Sequence, residues 1–180
     1  MTVPVLKMRD YFDIDALYAA LDAQRGERGL TWGGVMREIN GTYRDVDLRP
    51  IAASTITTMR DRDYLNGDGV IQMLLWLDRT PESFVPGHPS PNAPENRLIA
   101  PARTDRILRF RPAAVYWAAD EVRRTQTLTW IQVAADIGCI SANGLQSLGT
   151  GRGLLGFPKV VHIARWLDIP MAALTLEREW

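Results

Sequence analysis

Side chains able to do covalent or metal chemistry are few in this sequence and poorly grouped for it. It holds a single cysteine, Cys139, and two histidines, His88 and His162. One thiol cannot close an internal disulfide, and no Cys/His zinc constellation can be assembled from these residues. Gly149-Thr-Gly-Arg-Gly153 has three alternate glycines, as a phosphate-cradling loop would, but it follows a helical segment and no strand. No nucleophile elbow, HExxH pattern or paired-carboxylate arrangement can be picked out. The run Asp10–Asp15 reads as the solvated start of a helix, favourable beside the helix dipole. The expectation is a protein with no catalytic activity, no cofactor and no metal. Basic side chains are more suggestive. Arg103, Arg106, Arg109 and Arg111 form a series that reads either as the solubilising end of a linker or as an arm for a nucleic-acid backbone or minor groove.

The composition frames these residues. The chain has 180 residues, 46% hydrophobic and 23% charged, which suits a globular protein of one domain or two small ones. Its longest uncharged apolar-rich runs, such as Gly69–Leu77, fall far short of the roughly 20 residues that span a membrane. Met1-Thr-Val-Pro-Val-Leu-Lys7 lacks the basic and apolar regions of a signal peptide, so the expected location is cytoplasmic. Net charge is zero, yet residues 1–90 carry 10 Lys/Arg against 13 Asp/Glu, and residues 91–180 carry 11 against 8. On charge, the second half is favoured to meet a polyanion.

Proline and repetition organise the chain. Val85-Pro-Gly-His-Pro-Ser-Pro-Asn-Ala-Pro-Glu-Asn96 reads as a proline-stiffened linker. The pieces on either side are copies of each other. Tyr18-Ala-Ala-Leu-Asp22 aligns with Tyr116-Trp-Ala-Ala-Asp120 at an offset of 98, as does Leu30-Thr-Trp32 with Leu128-Thr-Trp130. Ile51–Met59 aligns with Ile140–Leu148 at 89, and Trp76-Leu-Asp78 with Trp166-Leu-Asp168 at 90. The expected division is therefore a first domain over 1–86, a linker over 87–104 and a second domain over 105–180.

Each copy reads as short helices. Ile14, Leu17, Tyr18 and Leu21 mark one face of the first. Thr31 and Thr129 stand where N-caps belong, opening a second helix with Trp32, Val35, Met36 and Ile39, or Trp130, Val133, Ala134 and Ile137, turned inward. Ile56 and Met59, or Leu145 and Leu148, mark a third helix, and Val70–Leu77 or Val160–Leu167 a fourth. No segment shows strand alternation, so the expected class is all-α. The tryptophans read as core, Cys139 as a small semi-buried hydrophobe, and His162 as a surface or boundary residue. In the second copy Thr129–Ile137, the turn Gly138-Cys-Ile140 and Ser141–Leu148 match a helix-turn-helix, whose second helix enters the major groove of DNA. In the first copy Asn40–Pro50 stands in place of the short turn.

Leu-Thr-Trp at the second helix, small polar residues opening the third, a Gly/Arg-rich loop and Val-Val-His-Ile-Ala-Arg-Trp-Leu-Asp-Ile169 together resemble the Cro/lambda-repressor-type (XRE) helix-turn-helix family. The resemblance covers residues 113–174 and roughly 13–84. It implies two lambda-repressor-like domains in tandem, and double-stranded DNA as the partner of a transcriptional regulator. The carried-over base-reading positions are Ala142, Asn143, Gly144, Gln146 and Ser147, with Asn and Gln amides suited to adenine. In the first copy they are Ala53, Ser54, Thr55, Thr57 and Thr58, which offer hydroxyls and methyls. Arg152 and Lys159, and Arg60 and Arg62, fall where phosphate contacts belong, with Arg103 and Arg106 as the arm. Asp61 and Asp63 would blunt the first set. A homodimer is one expected arrangement, and no effector-binding domain is evident. The alternative is a protein-interaction module, an adaptor or antiactivator in which one or both copies no longer read DNA.

Overall fold

The structure is a computed structural model that describes residues 10–41, 51–62, 64–151 and 155–179. It is mostly helical. The first copy contributes α1 (Ile14–Glu27), α2 (Trp32–Gly41), α3 (Ala53–Thr57) and α4 (Gly67–Leu77). The second contributes α5 (Pro112–Thr125), α6 (Trp130–Ile137), α7 (Ala142–Leu148) and α8 (Phe157–Leu167). α1 and α5 correspond residue for residue at the offset of 98, and α4 and α8 at 90, so the sequence repeat is a structural repeat. No helix among the described residues is long and apolar enough to cross a membrane.

The same devices close both copies. A 3₁₀ turn follows the fourth helix in each, Pro81–Phe84 and Met171–Leu174. Its last carbonyl takes the N–H of the residue leading into the first helix: Asp13 to Phe84 at 2.7 Å, and Arg111 to Leu174 at 2.8 Å. Asp78 and Asp168 end α4 and α8 in the left-handed conformation. Thr129 caps α6 through a full capping box with Gln132, and the Thr31 hydroxyl accepts the Gly34 N–H. The first copy adds a clasp where the turns differ. Asn40, buried at the end of α2, donates to the Ile51 carbonyl at 2.7 Å and accepts the Ile51 N–H at 3.2 Å. Residues 42–50 of the inserted turn lie outside the described residues, but the clasp holds the flanking residues together. Ile51 is thereby buried like its counterpart Ile140.

The copies meet across an internal two-fold. Asn66 and Gly156, equivalent residues just before α4 and α8, form an antiparallel bridge. The Phe157 N–H donates to the Leu65 carbonyl at 3.2 Å, and the Gly67 N–H to the Leu155 carbonyl at 3.3 Å. Exchanging the copies turns each of these bonds into the other, which only a rotation of about 180° can do. Side-chain contacts obey the same operation. Phe12, leading into α1, packs edge-on against Phe157 of α8 with ring centres 4.5 Å apart. Phe110, leading into α5, lies against Gly67 of α4. Each copy thus sends its leading segment onto the other's fourth helix. All four phenylalanines of the chain gather here, with Phe12 also 5.9 Å from Phe84 and Phe110 5.9 Å from Phe157. The buried apolar residues of both copies form one continuous cluster.

Two features depart from the sequence expectation. A two-stranded antiparallel sheet joins β1 (Arg106–Phe110) to β2 (Thr175–Glu179). Alternation was invisible because Ile107 and Leu108 are both buried, while β2 presents a half-exposed Leu176 among charges. β1 lies on α4 of the other copy, where Gln72 donates to the Leu108 carbonyl at 3.0 Å. Covered by β1, α1 and α8, α4 is buried nearly all round. The second departure is the linker, which is no free tether. Thr80 donates to the Pro91 carbonyl, Asn96 to those of Ser90 and Pro91, and Arg97 pairs with Asp78. Asn96 and Leu98 are buried, and the turn Pro94–Asn96 packs against Met171–Leu174.

The junction demands a glycine at position 67. A Cβ there would stand 2.8 Å from the Leu155 carbonyl oxygen and 2.8 Å from the Phe110 ring, and the first is backbone. Gly67→Ala should destabilise the chain by about 1–3 kcal/mol through overpacking. Gly26→Ala, with nothing near its new methyl, should be neutral or stabilising by up to ~1 kcal/mol. Urea denaturation followed by tryptophan fluorescence and circular dichroism checks both. Because the core is shared, the two signals should give one coincident transition.

Candidate nucleic-acid interface

α7 is anchored on one side and open on the other. Leu145 and Leu148 are buried, whereas Asn143, Gln146 and Ser147 are exposed and Ala142 and Gly144 half-buried. Ser141 caps the helix by accepting the Gly144 N–H at 3.0 Å. Gly138 ends α6 at φ 77°, a conformation that favours glycine, and the chain turns into α7 within Cys139, Ile140 and Ser141. Cys139 and Ile140 are buried beneath the turn. A Cβ on Gly144 would meet Ile140 at 2.9 Å, so this residue serves the close packing of turn and helix. The Ser147 hydroxyl donates back to the Gly144 carbonyl. Asn143 and Gln146 therefore carry the two exposed amides of α7.

A repeated clamp, whose arginines the sequence reading did not single out, positions the second helix of each copy. In the first copy the Arg25 guanidinium binds Asp22 and the Leu30 carbonyl and lies over the Trp32 ring, 4.9 Å from its centre. In the second, Arg123 binds Asp120 and the Leu128 carbonyl and lies over Trp130 at 5.1 Å. Tyr18 and Tyr116 pack on the same tryptophans at 5.3 and 5.2 Å. These tryptophans are half-buried at the edge of the core rather than inside it. Each joins the first helix to the start of the second. The signal was available: Asp22-x-x-Arg25 and Asp120-x-x-Arg123 align at the offset of 98.

The first copy presents a different surface. α3 has five residues against seven in α7, and no side chain caps it. Ala53 and Thr55 are half-buried, while Ser54 and Thr57 are exposed. The Thr58 hydroxyl donates to the Ser54 carbonyl at 2.6 Å and accepts from Arg62 at 3.0 Å. Arg60 pairs with Asp15 at 2.8 Å and lies over the Tyr18 ring. Both arginines expected at phosphates are thus engaged within their own copy.

Among the basic residues of the second copy, Lys159 is exposed in the first turn of α8, close enough to Cys139 to influence its thiol. Arg152 lies outside the described residues. The series Arg103–Arg111, which the sequence left as either a linker end or an arm, is tied to the fold from Arg106 onward. Arg106 is paired into β1 opposite Glu179, and Arg109 lies 3.7 Å from Asp68 of α4. The buried Ile107, Leu108 and Phe110 between them hold this segment to the protein, which no flanking charge pattern could reveal. Arg103 is exposed and paired with Asp105. His162 is a boundary residue against Tyr11, its imidazole pushed below its ordinary value by burial and by Arg165. Among the described residues no group of three His, Cys, Asp or Glu is placed to hold a metal.

No family model, curated protein or solved structure matches this chain.

The Cys139 thiol is pushed up to about 11 by burial beneath the turn, only partly offset by Lys159. The folded state therefore keeps its proton while the unfolded thiol ionises, so stability contributed by this group is lost as pH rises from about 9 to about 11. Stability measured by urea denaturation across that range should fall less steeply in Cys139→Ala than in the parent chain. At neutral pH the native thiol should react with a disulfide reagent far more slowly than in denaturant.

Proposed function

We propose that the chain is a sequence-specific DNA-binding regulator in which α7 reads base edges and the first copy contributes less. The observation that carries this is the exposure of Asn143 and Gln146 on a helix whose opposite face is fixed in the core. Their amides can pair bidentately with adenine in a major groove, and the short turn after α6 sets α7 off from its scaffold as a reading helix requires. The Arg123 clamp and the Ser141 cap pre-organise this unit, so little ordering is left to binding. The first copy supports the ranking by contrast, since its third helix is shorter and its arginines are occupied.

Charge supports a second reading. Residues 129–148 hold Asp136 and no lysine or arginine, which leaves the exposed Lys159 at the start of α8 as a phosphate partner. A surface of that kind also suits a protein partner, with the exposed Ile131 at the start of α6 as an apolar contact.

Binding of the full chain to genomic fragments at several salt concentrations separates the two. DNA reading predicts enrichment of specific fragments, with affinity falling as salt rises. Asn143→Ala and Gln146→Ala should each cost about 1–3 kcal/mol of discrimination between the best site and one with the contacted base changed. Lys159→Ala should weaken all sequences alike and reduce the salt slope by about one unit. Absence of fragment enrichment with retained folding overturns the DNA reading in favour of the protein partner.

A further inference from the structure

We infer that one chain is a ready-made two-fold reader: both copies engage a single duplex, whose target is an inverted repeat of two unequal half-sites. This inference rests on the DNA-reading proposal above and adds polarity and stoichiometry to it.

Two copies on one chain could be related by translation or by rotation, and the two relations read DNA differently. Copies arranged by translation meet the duplex in the same polarity and select a direct repeat. Copies related by a two-fold meet opposite strands in opposite polarity and select an inverted repeat. The bridge between Asn66 and Gly156, with the exchange of bonds between Leu65 and Phe157 and between Leu155 and Gly67, requires the second relation. The crossing of Phe12 onto α8 and of Phe110 onto α4 repeats it in the core. Apart from Asn66, the residues that make these contacts are buried, unlike a proline tether that would let either copy choose its orientation.

The halves are unequal because α3 and α7 are. Ser54 and Thr57 occupy the exposed positions of one, and Asn143 and Gln146 those of the other. A symmetric palindrome therefore matches one chain poorly. A second chain is also not needed to build the two-fold, because the face that relates the copies is already filled within one molecule. Glu82 seals it from one side only, accepting the Met171 N–H at 2.8 Å where the second copy has Ala172.

Selection of the full chain on random-sequence duplexes, followed by the mass of the complex, tests this. The expected motif has a strong and a weaker half-site in opposite orientation, with one chain bound per duplex. Reversing the weaker half-site within that duplex should lower affinity about a hundredfold, as one of two tethered contacts is lost. Ser54→Ala with Thr57→Ala should relax only the weaker half-site, and Asn143→Ala with Gln146→Ala only the stronger. Half-sites in the same orientation, one isolated half-site, or a symmetric palindrome holding two chains would overturn the inference and leave DNA reading intact. No enriched sequence at all overturns the DNA reading, and this inference with it.

Discussion

Two reciprocal backbone hydrogen bonds, Phe157 to Leu65 and Gly67 to Leu155, set the terms for everything else in this molecule. They bring the starts of α4 and α8 together so closely that position 67 has no room for a side chain beside the opposing carbonyl. That approach determines where the phenylalanines go. Phe12 and Phe110 each fill space on the other copy's fourth helix, and Phe157 sits between them at 4.5 and 5.9 Å. Aromatic rings of this size bury a large apolar area each. The junction is therefore core, of the same kind as the interior of either copy. Separation of the copies would expose that area, since the buried cluster runs through both.

The buried carboxylate at this junction is only half satisfied: Glu82 Oε1 accepts the Met171 N–H, while Oε2 is buried without a hydrogen bond among the described residues. Glu82 is almost fully buried at the junction, and burial pushes its carboxyl above the ordinary value, opposed by the Met171 N–H and by His88. Asp68, at the start of α4, is raised for the same reason, with Arg109 and the Phe110 N–H drawing it back. Both groups tie one copy to the other or to the strand leading into it. They add direction to an apolar contact that would otherwise allow sliding. The Asp–Arg–Trp clamps do the same within each copy. A guanidinium held by a carboxylate and a carbonyl gives the tryptophan one face to stack on, so the second helix enters at a fixed angle.

Helical content and the repeat were legible because both are local. Thr129, Gly138 and the apolar spacing of α6 decide that helix within ten residues, and the same is true of Ile14, Leu17 and Leu21 in α1. The sheet was not legible, since β1 and β2 lie some 65 residues apart and neither alternates on its own. β1 is buried on both faces, and β2 owes its conformation to β1. Nor was the junction legible: Asn66 and Gly156 differ as residues, and the two-fold lives in their backbones. The site was legible where side chains stand on a face set by periodicity, as Asn143 and Gln146 do opposite Leu145 and Leu148. It failed where tertiary partners redirect a charge. Asp61 and Asp63 flag Arg60 and Arg62 in sequence, but the pairing of Arg60 with Asp15, of Arg109 with Asp68 and of Arg106 into a strand is supplied only by the fold.

The symmetry also explains which differences between the copies could accumulate. Positions facing the core keep their character: Ile51 and Ile140, Ile56 and Leu145, Met59 and Leu148 are all buried. Volume and apolarity are demanded there by neighbours on every side. The exposed face of the third helix answers to no such neighbour, and there the copies diverge from hydroxyls to amides. The inserted turn obeys the same rule. Its length is accommodated because Asn40 closes it with two hydrogen bonds to Ile51, so the core sees the same residue in the same place as in the shorter copy. Loop length adds little closure entropy once the ends are held. A symmetric core with asymmetric surfaces is the arrangement that duplication within one chain permits and assembly of identical chains does not: the frame stays two-fold while each half acquires its own face.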